Sequence, residues 1–182
     1  MNQTDKLRAI LAEPGAEIMP GVFDAMSARL VERAGFRAGF MSGFAVAAAR
    51  LAMPDTGLIS YTEMANQGQN MCDAVSMPII GDGDTGYGNA INVRRTVEGF
   101  ARAGFACVMI EDQVSPKRCG HTQGKATVDR GEAFARIKAA VDVKNEGKDI
   151  LIMARTDANA TEGFDEALYR ANKFAELGAD IT

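Results

Sequence analysis

The chain has 182 residues, 47% of them apolar and 24% charged, which is the composition of a soluble globular domain rather than of a disordered chain. The net charge of −4 leaves no basic surplus for binding nucleic acid, and no apolar run approaches the roughly 20 residues of a membrane helix. Three widely spaced cysteines without a CxxC pair argue against a disulfide framework and predict a reducing, cytoplasmic location.

Short apolar runs alternate with amphipathic helices along the chain. Most of the runs lack a polar–apolar alternation, as strands buried on both faces do. Several predicted helices end in a glycine, after which the next strand begins at once. In chain order, the predicted strand and helix pairs are 18–20 with 24–34, 38–42 with 61–75, 78–81 with 90–103, 106–110 with 129–145, and 150–154 with 164–177.

Repeated strand–helix units predict parallel strands joined by right-handed crossovers. Two architectures have this pattern, an open doubly wound sheet and an eight-stranded β/α barrel. Five complete units are followed by residues 179–182, which we interpret as the start of a sixth strand. Because a full barrel takes about 250 residues, we expect residues 1–182 to form a single α/β domain, the first five to six units of a (β/α)8 TIM barrel, within a longer functional protein.

Polar side chains follow four successive predicted strands. In a β/α barrel the carboxyl ends of the strands share one face, where functional groups gather. Single polar residues at such positions commonly cap helices or lie in water, but four strands in succession indicate a site. The polar groups are Ser42 with Asp55 in its loop, then Asp82 and Asp84, then Glu111, and finally Arg155.

The acidic residues of this set offer hard oxygen ligands. One histidine and no paired cysteines argue against zinc or copper, whereas Mg²⁺ is held by one or two carboxylates together with water and substrate oxygens. The candidate Mg²⁺ ligands are Asp55, Asp82, Asp84 and Glu111. The alternative that the sequence leaves open is that Asp82 or Asp84 caps the following helix.

Residues 117–121 combine two cations, a thiol and the only histidine of the chain within a long loop after the fourth strand. Nearby positive charge lowers the pKa of a thiol, so Cys119 is a candidate to exchange a proton near neutrality. Gly120 leaves the backbone free to approach a ligand. Long loops on this face of a barrel often act as lids. The alternative is a solvated basic turn with an incidental cysteine.

Taken together, these stretches resemble the isocitrate lyase/phosphoenolpyruvate mutase superfamily over nearly the whole chain. The KRCGH loop is similar to that of its carbon–carbon lyases, and the chain looks like the 2-methylisocitrate lyase and petal-death-protein branches. The motifs that carry the resemblance are PGVFD (20–24), MSG (41–43), PDTG (54–57), GDGDTGYG (81–88), IEDQ (110–113), KRCGH (117–121) and ARTDA (154–158).

The resemblance implies a β/α barrel that binds Mg²⁺, with Mn²⁺ as a possible substitute, at the carboxyl end of the third strand. It implies Asp82 as the direct ligand, with the other three acids, Asp84, Asp55 and Glu111, holding the waters of the metal. It also implies a homotetramer. The protein would bind a small carboxylate substrate and would bind neither nucleic acid nor a membrane.

The resemblance implies two groups of substrate-binding residues. Those for the α-oxo-carboxylate end are Ser42, Gly43, Phe44 and Arg155. Those that contact the other carboxylate when the loop closes are Gly120 and His121. Cys119 is implied as the catalytic proton donor, and Arg155 and His121 complete the predicted catalytic set.

The resemblance thus implies a Mg²⁺-dependent carbon–carbon lyase. It would cleave a 2-hydroxy di- or tricarboxylate into an α-keto acid and a second carboxylate. Phe44 stands where 2-methylisocitrate lyases carry a further glycine, which leaves an alkylmalate or oxaloacetate beside 2-methylisocitrate as substrates. The alternatives are a phosphoenolpyruvate or carboxyphosphonoenolpyruvate phosphonomutase of the same superfamily, and a non-catalytic acid-binding relative.

Overall fold

The structure, a computed structural model, describes residues 1–120 and 122–182. The strands of this part of the chain are β1 (Gly21–Val22), β2 (Gly39–Met41), β3 (Ile79–Asp82), β4 (Cys107–Glu111) and β5 (Leu151–Arg155). Its helices are α1 (Gln3–Leu11), α2 (Ala25–Arg33), α3 (Gly43–Leu51), α4 (Tyr61–Ala74), α5 (Ala90–Arg102), α6 (Arg130–Asn145), α7 (Ala158–Thr161) and α8 (Phe164–Leu177). None of these helices is both long and apolar enough to cross a membrane.

The five strands form one parallel sheet in the order β1-β2-β3-β4-β5. Each new strand is added beside the previous one, so the sheet winds in one direction as a barrel does. A doubly wound sheet would reverse its order at a switch point, so the barrel alternative is confirmed. Ile181 makes a parallel bridge to Met153 of β5, where the start of a sixth strand was predicted.

The apolar core lies on both faces of the sheet. The larger cluster fills the space between the strands and the helices outside them, and it includes Phe100, Phe105 and Phe174. On the inner face, Leu7 of α1 packs with Ile80 and with residues of β4 and β5. Helix α1 also contacts the loops before β3 and β5, since Lys6 donates to the Ser76 carbonyl and Thr4 bonds to Asp149. It therefore closes the amino-terminal end of the barrel interior.

The five predicted helices are confirmed to within one residue at each end, but three other helices and the position of β1 differ from the prediction. The first strand, predicted at 18–20, lies at Gly21–Val22 because Pro20 has no amide hydrogen and contributes only its carbonyl, to Phe40. Helix α3 replaces part of a predicted loop. Its alanine-rich sequence favours a helix, and the Ser42 side chain caps it by accepting from the Ala45 amide.

Candidate active site

The predicted site residues meet at the carboxyl ends of the strands. Asp82 is the last residue of β3, Glu111 of β4 and Arg155 of β5, and Glu111 and Arg155 are register partners in adjacent strands. A cavity of about 220 Å³ opens here. It is lined by Phe40, Ser42, Phe44, Asp55, Asp82, Met109, Lys117, Cys119, Gly120 and Arg155.

Asp82 is held by backbone amides from two loops. Its Oδ2 accepts from the Gly43 amide at 3.0 Å and its Oδ1 from the Asp84 amide at 3.1 Å. A Cβ atom on Gly43 would lie 2.7 Å from Asp82 Oδ2 and 3.6 Å from Asp84 Oδ1. Only glycine fits between these carboxylates. The start of α3 and the loop after β3 therefore converge on one point.

The helix-capping alternative for the two aspartates fails. Helix α5, which follows them, is capped by Asn89, whose side chain accepts from the amides of Ile91 and Asn92. Asp82 and Asp84 are instead almost fully buried beneath the cavity, which leaves their carboxylates available to a ligand or a counter-ion.

Lys117 is a site residue that was not predicted from the sequence. Its Nζ lies 2.7 Å from a carboxylate oxygen of Asp55 and 2.7 Å from one of Asp84, and all three side chains are buried. Lysine is rarely buried unless it is paired. One of the two cations of the KRCGH stretch is thus the counter-ion of the acidic residues, so the alternative of a solvated basic turn does not hold for Lys117.

Two of the buried acids, Glu111 and Asp84, have raised pKa values. Burial, and next the charge of Asp82, raise the pKa of Glu111 to about 8, against the opposing pull of Arg155. Burial and the charge of Asp82 also raise the pKa of Asp84 to about 7. Arg155 lies 3.5 Å from Glu111, and although burial opposes its charge, Glu111 and Asp157 raise its pKa.

Carboxyl groups outnumber cations in this part of the structure. Four buried carboxylates face two cations, Lys117 and Arg155. Among the described residues, Asp55 Oδ1 and Glu111 Oε1 are buried and accept no hydrogen bond. Unpaired buried oxygen atoms are costly, so the donor set fits a hard divalent cation. The described side chains do not form a ready cluster of three or more ligands.

Cys119 and Gly120 also line this cavity. Cys119 is 7% exposed, and its amide donates to the Asp55 carbonyl at 3.1 Å. A Cβ atom on Gly120 would clash with Arg155 Nη2, so a larger residue there would displace the guanidinium from its present position. Phe44 is half-exposed at the rim. His121, predicted as a catalytic and substrate-binding residue, lies outside the described residues.

Comparison with known proteins agrees with this geometry. The family model of phosphoenolpyruvate phosphomutase matches residues 7–182. The chain belongs to this family. Among curated relatives, a 2,3-dimethylmalate lyase from Eubacterium barkeri is 45% identical over 181 residues, which are all of this chain and 62% of the relative. A 2-methylisocitrate lyase from Aeropyrum pernix is 46% identical over 175 residues, covering 96% of this chain and 56% of the relative.

Solved structures of the family show the same fold. A structure of oxaloacetate acetylhydrolase with the inhibitor 3,3-difluorooxalacetate has a TM-score of 0.92 and 39% identity, covering 98% of this chain and 62% of that one. A structure of phosphonopyruvate hydrolase with oxalate and Mg²⁺ has a TM-score of 0.88 and 31% identity, covering 99% and 62%. The chain therefore spans about three fifths of the length of its relatives.

Proposed function

We propose that the protein is a carbon–carbon lyase that uses a divalent cation, which is Mg²⁺ with Mn²⁺ as its substitute. Its substrate is a 2-hydroxy dicarboxylate of the alkylmalate type or 2-methylisocitrate, which gives an α-keto acid and a second carboxylate, or oxaloacetate, which after addition of water to its ketone gives oxalate and acetate. One observation carries the proposal: a single cavity joins buried, unbalanced carboxylates to the Cys119 thiol and the Arg155 guanidinium. The lyase names of two relatives support the reaction class.

The cation fits the acids beneath the cavity. We assign Asp82 as the direct ligand, with Asp84, Asp55 and Glu111 acting through water, an arrangement that needs no preformed cage of three ligands. Two positive charges would balance the two negative charges that Lys117 and Arg155 leave uncompensated once all four acids are ionised. When bound, the cation supplies fixed positive charge where the substrate hydroxyl loses its proton.

The remaining residues bind and orient the substrate. The guanidinium of Arg155 offers a planar fork suited to a carboxylate. Ser42, Gly43 and Phe44, at the positive end of the α3 helix dipole, are assigned to the α-oxo-carboxylate end; the Gly43 amide itself is used by Asp82. Gly120 and His121 are assigned to the other carboxylate.

Cys119 supplies the proton that completes the cleavage. The bond between the hydroxyl-bearing carbon and its carboxylate-bearing neighbour breaks, a carbonyl forms, and the electron pair stays on the neighbour. The Cys119 thiol protonates that carbon, and burial of the thiol keeps water away from it. Over a cycle, the proton that Cys119 gives is replaced by the one that the hydroxyl group loses.

A substrate panel tests the reaction class. Coupled assays for pyruvate and glyoxylate would be run on alkylmalates and 2-methylisocitrate, and an assay for oxalate on oxaloacetate, each with Mg²⁺ and with a chelator. We expect cation-dependent release of an α-keto acid from at least one 2-hydroxy acid, or of oxalate from oxaloacetate. Conversion of phosphoenolpyruvate seen by phosphorus NMR, or binding of the acids without turnover, would contradict the lyase proposal.

Replacing Cys119 by serine tests the proton donor. A hydroxyl group is a much weaker acid than a thiol, so we expect Cys119→Ser to lower kcat by about 10²–10⁴-fold while KM changes only a few-fold. Cys72→Ser is the matched control, because Cys72 lies on α4 and does not line the cavity. Turnover of Cys119→Ser close to that of the unmodified protein would refute the assignment.

Assembly and location remain predictions. The resemblance implies a homotetramer, and a thiol that must stay reduced suits the cytoplasm.

A further inference from the structure

Asp157 accepts hydrogen bonds from three side chains near the cavity. Its two carboxylate oxygens accept from Arg155 Nη2 at 3.1 Å, from Lys125 Nζ at 2.9 Å and from Gln113 Nε2 at 2.9 Å. The carboxylate is buried. Burial alone would raise the pKa of Asp157, but its hydrogen bonds and the charge of Arg155 hold that pKa below its ordinary value.

Two of these partners reach the residues on either side of Cys119. Gln113 Oε1 accepts from the Arg118 amide at 3.1 Å, and Lys125 Nζ also donates to the Gly120 carbonyl at 2.9 Å. The backbone on each side of Cys119 is thus linked to the Asp157 carboxylate through a single side chain, that of Gln113 before it and that of Lys125 after it.

Asp157 is itself fixed to the end of the sheet. Its amide donates to Asp112 Oδ1 at 3.0 Å, and the Thr156 hydroxyl donates to Asp112 Oδ2 at 2.6 Å. Arg170 of α8 completes this anchor with an ion pair to Asp112 at 3.0 Å, in which both side chains are almost fully buried. The position of Asp157 is therefore set by strands and a helix rather than by the loop that it holds.

We propose that Asp157 is a positioning residue that holds the segment carrying Cys119 over the cavity and orients Arg155, so that the proton donor and the carboxylate-binding group are placed by one side chain. This inference deepens the proposed function and rests on it for the roles of Cys119 and Arg155. A carboxylate is needed because all three partners are donors. An asparagine would present an amide nitrogen to at least one of them.

The test measures how fast Cys119 is alkylated by iodoacetamide in the full protein without substrate, with each cysteine followed by peptide mass spectrometry. We expect Asp157→Asn to accelerate alkylation of Cys119 by about tenfold or more, equivalent to about 1.4 kcal/mol. The rate at Cys72 should not change. Burial raises the pKa of Cys72 to about 12, so its slow alkylation reports general loosening of the fold.

Asp180→Asn is the matched control. Asp180 pairs with Lys144 and accepts from the Ile152 amide near the opposite end of β5. Losing that carboxylate should leave the Cys119 rate within about twofold of the unmodified protein. Asp157→Glu, which restores the charge, should recover part of the protection. Together, Asp180→Asn and Asp157→Glu distinguish a specific role of Asp157 in holding the Cys119 segment from a general effect of losing a buried carboxylate.

Lys125→Met keeps the inference testable should Asp157→Asn fail to fold. It removes both hydrogen bonds of Lys125, to Asp157 and to Gly120, and leaves the Gln113 link intact. It should also accelerate alkylation of Cys119, and adding it to Asp157→Asn should have little further effect because both act on one connection. Unchanged Cys119 rates in these variants, or equal acceleration at Cys72 and Cys119, would overturn the inference. Because alkylation needs neither substrate nor metal, its outcome is independent of whether lyase activity is found.

Discussion

Gly43 shows how one missing side chain can shape an acidic site. The amide of Gly43 supports Asp82 Oδ2 at 3.0 Å, and a Cβ atom would lie 2.7 Å from that oxygen. The carboxylate has little freedom to withdraw, because its other oxygen is bound by the Asp84 amide. The glycine therefore sets the position of the oxygen that we assign to the cation.

We expect Gly43→Ala to weaken binding of Mg²⁺ by about tenfold or more, since loss of an outer partner of a ligand typically costs this much affinity. The measurement is the rise in melting temperature with increasing Mg²⁺, which needs no substrate. Gly21→Ala on β1 is the control, because the nearest atom to its Cβ would be Ser42 Cβ at 4.0 Å. Equal Mg²⁺ responses in the two variants would show that Gly43 does not shape the cation site.

The site residues differ in how far sequence could reveal them. Asp82, Glu111 and Arg155 were found because each ends a strand, and parallel strands bring their carboxyl ends to one edge. Lys117 was missed because a lysine in a loop is ordinarily exposed. Its partner Asp55 lies 62 positions earlier in the chain, and no local pattern shows that pairing.

At the scale of elements, the helices that pack along the sheet were predictable and those at its two ends were not. Helix α8 was predicted with its observed bounds because it carries an apolar stripe. Helix α1 has only nine residues and buries a single apolar side chain, Leu7, which is too short a pattern to predict a helix. Helix α3 is almost entirely apolar or small, and its role as the amide-bearing edge of the cavity depends on contacts distant in sequence.

Helix α1 should nevertheless contribute to stability through Leu7. This side chain is fully buried at the amino-terminal end of the barrel interior, so we expect Leu7→Ala to lower the free energy of unfolding by about 2–5 kcal/mol. Leu11→Ala makes the same chemical change in the same helix at a site that is 42% exposed, and should cost no more than about 0.5 kcal/mol. Denaturant unfolding measures both. Similar losses in the two variants would mean that α1 does not close the barrel.

At the scale of the whole molecule, the sheet order and the match to family structures agree on one architecture. Consecutive strands are neighbours throughout, so every functional strand end faces the same side. This explains why a chain that spans about three fifths of its relatives' length gathers the acids, Cys119 and Arg155 in one place.

The same concentration of acids predicts how stability depends on pH. Glu111 has its pKa raised from 4.5 to about 8 and Asp84 from 3.8 to about 7, so between about pH 4 and 8 the folded state binds more protons than the unfolded state. Each such group lowers stability as pH rises, by up to about 1.4 kcal/mol per pH unit. We expect the free energy of unfolding of the metal-free protein to fall across this window.

Denaturant unfolding at several pH values in the presence of a chelator measures this slope. Glu111→Gln should flatten it, because the variant carries no proton to lose at this position. Saturating Mg²⁺ should also flatten it, since a cation favours the ionised acids. An identical slope in the unmodified protein and in Glu111→Gln would show that burial does not raise the pKa of Glu111.

Lys117 and Cys119 stand two positions apart on one segment and line the same cavity. The ammonium group neutralises Asp55 and Asp84, while the thiol is the acid of the proposed reaction. If this segment moved as a unit, the Cys119 thiol would leave the cavity, and Asp55 and Asp84 would lose the ammonium group of Lys117 at the same time.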